Sequence, residues 1–305
     1  MLALKIKDIT FKNPIMVASG TYGYGNEVSD FVDLSKFGAI ITKSVTRNPR
    51  EGNPPPRIFE VSSGMLNSIG LANLGVEKYI EEKIPYLNKI DTNIIINIAG
   101  TRIDDYVETL DMLESANSKH IGYEINISCP NVKEGGMQFG VSPDMTKELT
   151  QELRKRTDKI LIMKLSPNVT SIEEIGLASQ DGGADAVSAI NTVMGMSVDI
   201  KTKKPRLSTI MGGLSGSCIK PVALANIHKL FKTLDIPIIG IGGISNCDDV
   251  IEFMLTGARF VELGTINYKY PNLVETLVDQ LQSYLEEQSI DHIKNIVGDL
   301  MIENK

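Results

Sequence analysis

The 305-residue sequence is poor in the features that mark several protein classes. It has three cysteines, Cys129, Cys218 and Cys247, spaced 89 and 29 residues apart. That spacing supplies neither a disulfide framework nor a thiolate metal site, both of which need paired or clustered ligands. Any cysteine chemistry therefore belongs to a single thiol. No apolar run approaches the roughly 20 residues that span a bilayer. The opening MLALKIKDITFKNP carries charges inside its apolar stretch and lacks a small-residue cleavage site, which points away from a secretory signal and toward the cytoplasm. Dense Lys/Arg runs are missing as well, and 31 basic against 38 acidic residues leave a net charge of −7. A nucleic-acid surface needs positive charge to displace phosphate counterions. Internal repeats and low-complexity linkers are also absent.

What is present is a rhythm. Eight short runs, PIMVAS (14–19), GAIITK (38–43), NIIINI (93–98), GYEINI (122–127), ILIMKL (160–165), ADAVSAI (184–190), IPIIGIG (236–242) and ARFVEL (258–263), are apolar almost throughout. Strands buried on both faces of a helix-covered parallel sheet read this way. Helical patterns separate them, among them 76–89, 104–117, 144–157 and 247–257, with a capping-box start at Ser171 and a terminating Gly257. Strands alternating with helices predict an α/β fold, a (β/α)8 TIM barrel in one domain over 1–305. An N-terminal hairpin, LKIKD then ITFK, is expected to close one end. Two insertions, after the second and sixth strands, lie on the side where such barrels build active sites. The first (44–75) contains Pro54, Pro55 and Pro56 and is expected to be mostly non-helical; the second carries a small hairpin over 198–207.

Barrel architecture does not itself specify a reaction. The strand ends are more informative, because nearly every one carries a polar group or glycine: Ser19, Lys43, Asn97, Asn126 to Cys129, Lys164, Asn191 with Thr192, Gly242 with Gly243, and Gly264 with Thr265. The loops after the last two strands read GIGGIS and ELGT, and in these barrels that position often holds phosphate on backbone N–H groups. MGGLSG (211–216) adds a third glycine segment. Lys43 and Lys164 end apolar strands, where three roles compete: a Schiff base, a positive charge facing an electron-rich cofactor, or a side chain that snorkels to water. Asn67, Asn97, Asn126 and Asn191 offer donors and acceptors together, which suits the imide edge of a flavin or pyrimidine better than a simple aldehyde. In EINISCPN (124–131), Pro130 biases Cys129 toward an extended backbone at the strand end. A free thiol titrates at about 8.5 and can accept a proton from an acidic C–H placed beside it. Gly135 and Gly136 make the following loop a candidate lid.

These segments together resemble the class 1 dihydroorotate dehydrogenases over essentially the whole chain. The likeness is carried by SGTYGYG (19–25), ITKSVTRNPREGNPPPRIFE (41–60), GMLNSIGLANLG (64–75), EINISCPN (124–131), MKLSPN (163–168), SAINTV (188–193), GGLSG (212–216), IGGI (241–244) and LGT (263–265). GMLNSIGL and GGLSG followed by IKPVAL are most similar to the NAD-linked, type B catalytic subunit. The resemblance implies FMN as cofactor and oxidation of (S)-dihydroorotate to orotate in pyrimidine biosynthesis. By position it implies FMN contacts at Ser19, Lys43, Ser44, Asn97, Asn126, Lys164, Ile190, Gly216, Gly242, Gly243, Gly264 and Thr265. Substrate contacts would be Lys43, Asn67, Ser68, Ile69, Gly70, Leu71, Asn126, Asn131, Asn191 and Thr192. Cys129 matches the family's catalytic cysteine, taking the C5 proton while the C6 hydride passes to flavin N5, with Lys43 near the developing negative charge. No metal is implied.

The chain has no G-x-G-x-x-G after a strand, since GIGGIS lacks the final glycine, and no cysteine cluster for iron and sulfur. Electrons bound for NAD therefore need another route. The type B resemblance implies a homodimer joined to an iron–sulfur flavoprotein subunit carrying FAD and [2Fe-2S], a heterotetramer. Rival readings are a fumarate-linked type A enzyme, a tRNA dihydrouridine synthase, which the net charge disfavours, and a Schiff-base barrel lyase using Lys43 or Lys164.

Overall fold

The computed structural model describes residues 1–128 and 139–302. All eight apolar runs form strands: β1 (Ile15–Val17), β2 (Ala39–Ile41), β3 (Asn93–Ala99), β4 (Gly122–Asn126), β5 (Ile160–Lys164), β6 (Ala186–Ala189), β7 (Ile238–Ile241) and β8 (Phe260–Leu263). Each pairs in parallel with its sequence neighbours, and β8 returns to β1 with Val261 opposite Ile15, closing the expected barrel. One set of strand side chains fills the interior and the other meets the helices, so both sets are apolar. The fully buried polar exceptions on the strands are Asn97, Glu124, Lys164, Ser188 and Glu262.

Local chemistry sets the helix ends. Ser142 and Ser171 cap the helices Pro143–Arg154 and Ile172–Asp181 by accepting the N–H groups of Met145 and Glu174. Gly257 ends Cys247–Thr256 at φ +124°, where a Cβ would also fall 2.2 Å from the Phe231 ring. The helix expected over 76–89 is interrupted: a π-helical segment, Tyr79–Lys83, separates Gly75–Lys78 from Ile84–Leu87. Pro85 follows that segment and has no N–H to donate, which removes one bond of the α-helical ladder.

The N-terminal hairpin pairs Leu4–Ile6 with Ile9–Phe11. Lys7 Nζ donates to the Asp158 carbonyl before β5, and Asn93 Nδ2 at the start of β3 donates to the Thr10 carbonyl. The hairpin thus sits at the N-terminal end of the barrel, opposite the loops that follow the strands. Both insertions lie at the other end, where Ile58–Val61, Gly64–Asn67, Val193–Met196 and Met211–Ser215 make one antiparallel sheet, joined by pairing of Gly213 with Asn67. Val198–Asp199 and Lys204–Pro205 form the small hairpin within the second insertion.

One packing contact at the closed end predicts a pH response. His120 Nε2 lies 2.7 Å from the Tyr123 hydroxyl, which donates to Glu114 at 2.9 Å. Burial, reinforced by Lys159 and opposed by Glu114, pushes the His120 pKa down to about 4. An unfolded histidine titrates near 6.5, so as pH falls below that value the unfolded chain takes up the proton first. Stability is lost between about pH 6.5 and pH 4, by up to about 3 kcal/mol. Urea midpoints across this range should fall in the parent and flatten in His120→Leu. Equal pH slopes in the two proteins would contradict a neutral His120.

Candidate active site

At the C-terminal end of the strands, beneath the insertion sheet, lies a cavity of about 1510 Å³. Pockets for one drug-sized ligand usually measure about 300–1,000 Å³, so this one has room for two ring systems. Every described residue to which the sequence assigned a contact lines it. Ser19 follows β1, Lys43 and Ser44 follow β2, Asn97 lies on β3, and Asn126 and Lys164 end β4 and β5. Ile190, Asn191 and Thr192 follow β6, Gly242 and Gly243 follow β7, and Gly264 and Thr265 follow β8. The insertions contribute Asn67, Ser68, Ile69, Gly70, Leu71 and Gly216. Cys129, Asn131, Gly135 and Gly136 lie outside the described residues.

One wall is a glycine cradle. Gly216, Gly242 and Gly243 hold φ of +103°, +124° and +84°. A Cβ at Gly243 would stand 2.8 Å from the Lys220 backbone nitrogen and 3.0 Å from the Gly216 carbonyl oxygen, so only glycine lets these segments approach so closely. Lys220 itself is committed elsewhere, with Nζ 2.6 Å from Asp249 and 2.5 Å from Glu252. An anion here would be met by backbone N–H groups and the hydroxyls of Ser215 and Thr265, which bond each other at 2.8 Å.

The floor is ionic. Glu124 accepts from Asn97 Nδ2 at 2.6 Å, Ser188 Oγ at 2.8 Å and Lys164 Nζ at 3.2 Å, while Ser44 Oγ donates to Asn97 Oδ1 at 2.5 Å. Lys164 Nζ also lies 3.5 Å from Glu262 Oε2. Burial opposes the charge on Lys164, but Glu124 and Glu262 outweigh it and raise its pKa. Lys164 is therefore a fixed ammonium ion. It neither snorkels to water nor offers the free amine that a Schiff base requires.

Lys43 differs. Its ammonium makes no hydrogen bond or ion pair among the described residues, and burial lowers its pKa, with Glu27 opposing and Arg57 assisting. The same cavity is lined by groups with unused capacity. Ser68 Oγ is buried without a partner among the described residues. Asn191 Nδ2 reaches Asn126 Oδ1 only at 3.5 Å, and Asn67 Nδ2 reaches the Gly213 carbonyl at 3.4 Å. Gly70 and Leu71 both occupy the left-handed region, at φ +74° and +57°, and Asn73 Nδ2 secures the Leu71 carbonyl at 2.7 Å. The wall thus offers amides, a hydroxyl and a lysine to the cavity.

Reading strand ends missed Glu124, Ser188 and Glu262, which lie within strands, and Arg57, which lines the cavity from the first insertion. A lone glutamate inside GYEINI and another inside ARFVEL were the available signals.

Fold and site define a (β/α)8-barrel enzyme with a glycine cradle beyond β7 and β8 and an amide-lined cavity above a lysine floor. A family model described as dihydroorotate dehydrogenase matches residues 1–285, and the chain belongs to that family. Among similar proteins is the catalytic subunit of dihydroorotate dehydrogenase B (NAD(+)) of Bacteroides thetaiotaomicron, 46% identical over 301 residues and 99% of each chain. Proteins of the same description from Geotalea uraniireducens and Thermoanaerobacter pseudethanolicus are 45% identical over 300 residues and 43% over 302, covering 98% and 99% of each chain.

Proposed function

We propose that this chain is the catalytic subunit of an NAD-linked dihydroorotate dehydrogenase, oxidising (S)-dihydroorotate to orotate for pyrimidine synthesis. The observation that carries this reading is near-full-length identity of 43–46% to subunits of that description. The free thiols of Cys218 and Cys247 agree with a cytoplasmic address, where disulfides are rare.

FMN fits the residues present. The glycine cradle with Ser215 and Thr265 suits its phosphate, Lys164 with Ser44 and Asn97 suits the polar edge of its ring, and Ser19, Asn126, Ile190 and Gly264 complete the lining. When bound, FMN supplies the hydride acceptor. The chain's own groups do the rest. Lys43, Asn67, Asn126, Asn131, Asn191 and Thr192, with Ser68 and the backbone of Ile69–Leu71, hold the pyrimidine so that its C5 proton faces Cys129. The Cys129 thiolate takes that proton, which the adjacent carbonyl makes acidic, as the C6 hydride leaves. Lys43 stabilises negative charge at the reacting centre, and its ammonium has no fixed partner among the described residues to hold it away.

Electrons leave through a partner subunit carrying [2Fe-2S] and FAD, joined to a homodimer of this chain as a heterotetramer. The support is the absence of a dinucleotide fingerprint and of a cysteine cluster from this sequence. Purified alone and loaded with FMN, the chain should reduce artificial dyes with dihydroorotate but not NAD, and adding the partner should restore NAD reduction. Robust NAD reduction by the isolated chain would overturn this part, and efficient turnover with fumarate would assign the fumarate-linked type instead.

A further inference from the structure

Glu124, Lys164 and Glu262 are the only charged residues in the eight barrel strands, and they meet at one level inside the barrel. Two fully buried carboxyl groups thus compete for one ammonium ion. The competition is unequal. Glu124 accepts from Asn97, Ser188 and Lys164, whereas among the described residues neither oxygen of Glu262 makes a hydrogen bond of good geometry: the Lys164 ammonium stands 3.5 Å from its Oε2, and its other close neighbour is the Glu124 carboxylate. With both carboxylates ionised, the cluster would hold an uncompensated negative charge away from water, which is costly.

We propose that Glu262 stores a proton in the folded protein, so that Glu124, Lys164 and Glu262 together carry no net charge at the floor of the cavity. Glu262 is then a positioning residue: it keeps the Lys164 ammonium neutralised once rather than twice. Burial first, and the neighbouring Glu124 carboxylate second, push the Glu262 pKa well above the ordinary carboxylate range, with Lys164 opposing. The consequence for electron uptake rests on the FMN reading above; the stored proton does not. A neutral floor opposes the negative charge of a reduced flavin less than an anionic one.

Infrared spectroscopy reads the proton directly. At mildly alkaline pH the cofactor-free chain should show the carbonyl band of a neutral carboxylic acid, assigned to glutamate by 13C-glutamate labelling of the unsubstituted protein. The band should vanish in Glu262→Gln. It should also vanish in Glu124→Gln, because Glu262 then ionises to pair with Lys164. A band that survives Glu124→Gln would overturn competition as its cause, and absence of a glutamate band from the unsubstituted chain would overturn the proposal. In the FMN-loaded chain, Glu262→Gln should leave the flavin midpoint potential unmoved, because a neutral amide replaces a neutral acid. A positive shift would mean that Glu262 was ionised. A chain that shows the band but cannot bind FMN would retain the stored proton and sink the flavin reading alone.

Discussion

Cys129→Ala should retain FMN yet lose the reductive half-reaction, with dihydroorotate bleaching the flavin about 10²–10⁴-fold more slowly than in the parent, the usual worth of a positioned general base. Cofactor binding should survive because the glycine cradle and Lys164 lie on other strands and loops, and Asn126, at the end of β4, is itself unchanged. Cys129→Ser should recover little at neutral pH, since a hydroxyl is far less ionised than a thiol. The parent rate should rise with pH as the thiolate forms. Anaerobic stopped-flow absorbance measures all three; near-parent bleaching in Cys129→Ala, or a flat profile through the thiol's titration range, would exclude Cys129 as the base.

Lys164→Met should give the largest loss of stability. Methionine roughly matches the volume but removes the cation from between Glu124 and Glu262, both fully buried. Breaking a buried ion pair on one side typically costs about 3–5 kcal/mol. Glu124 normally has its pKa lowered: burial raises it, but Lys164 and the hydrogen bonds outweigh that. Its stabilising pairing is present above the ordinary carboxylate range and lost as pH falls through the folded value. The deficit of Lys164→Met should therefore be greatest at neutral pH and shrink in acid, where Glu124 takes up a proton. Urea unfolding of the cofactor-free protein checks this without any flavin, and parent-like stability at neutral pH would contradict it. FMN affinity should fall as well.

The barrel was legible because its strands are buried on both faces, so each announces itself as an apolar run, and because β/α alternation places every strand end on one rim. Asn97, Asn126, Lys164 and Gly242 could be gathered into one site from sequence order alone for that reason. The insertion sheet was not legible. Its joining contact links Asn67 to Gly213 across 146 residues, a pairing with no local signature. The interruption at Tyr79–Lys83 escaped because the apolar periodicity runs through it. Lys43 and Lys164 looked alike as strand-end lysines, and the glutamates that separate them are distant in sequence. Glu124 and Glu262 fix Lys164 as a cation, whereas Lys43 has no such partner among the described residues. That removes Lys164 from the Schiff-base reading, and the family match over residues 1–285 sets the tRNA-modifying alternative aside.

The most direct test of the account is an anaerobic visible spectrum of the purified, FMN-reconstituted chain before and after addition of dihydroorotate, with orotate measured in the same sample. Flavin absorbance should be present, then bleach as an equivalent amount of orotate appears, without any partner subunit. A chain that binds no FMN, or whose bound FMN stays oxidised in the presence of dihydroorotate, would contradict it.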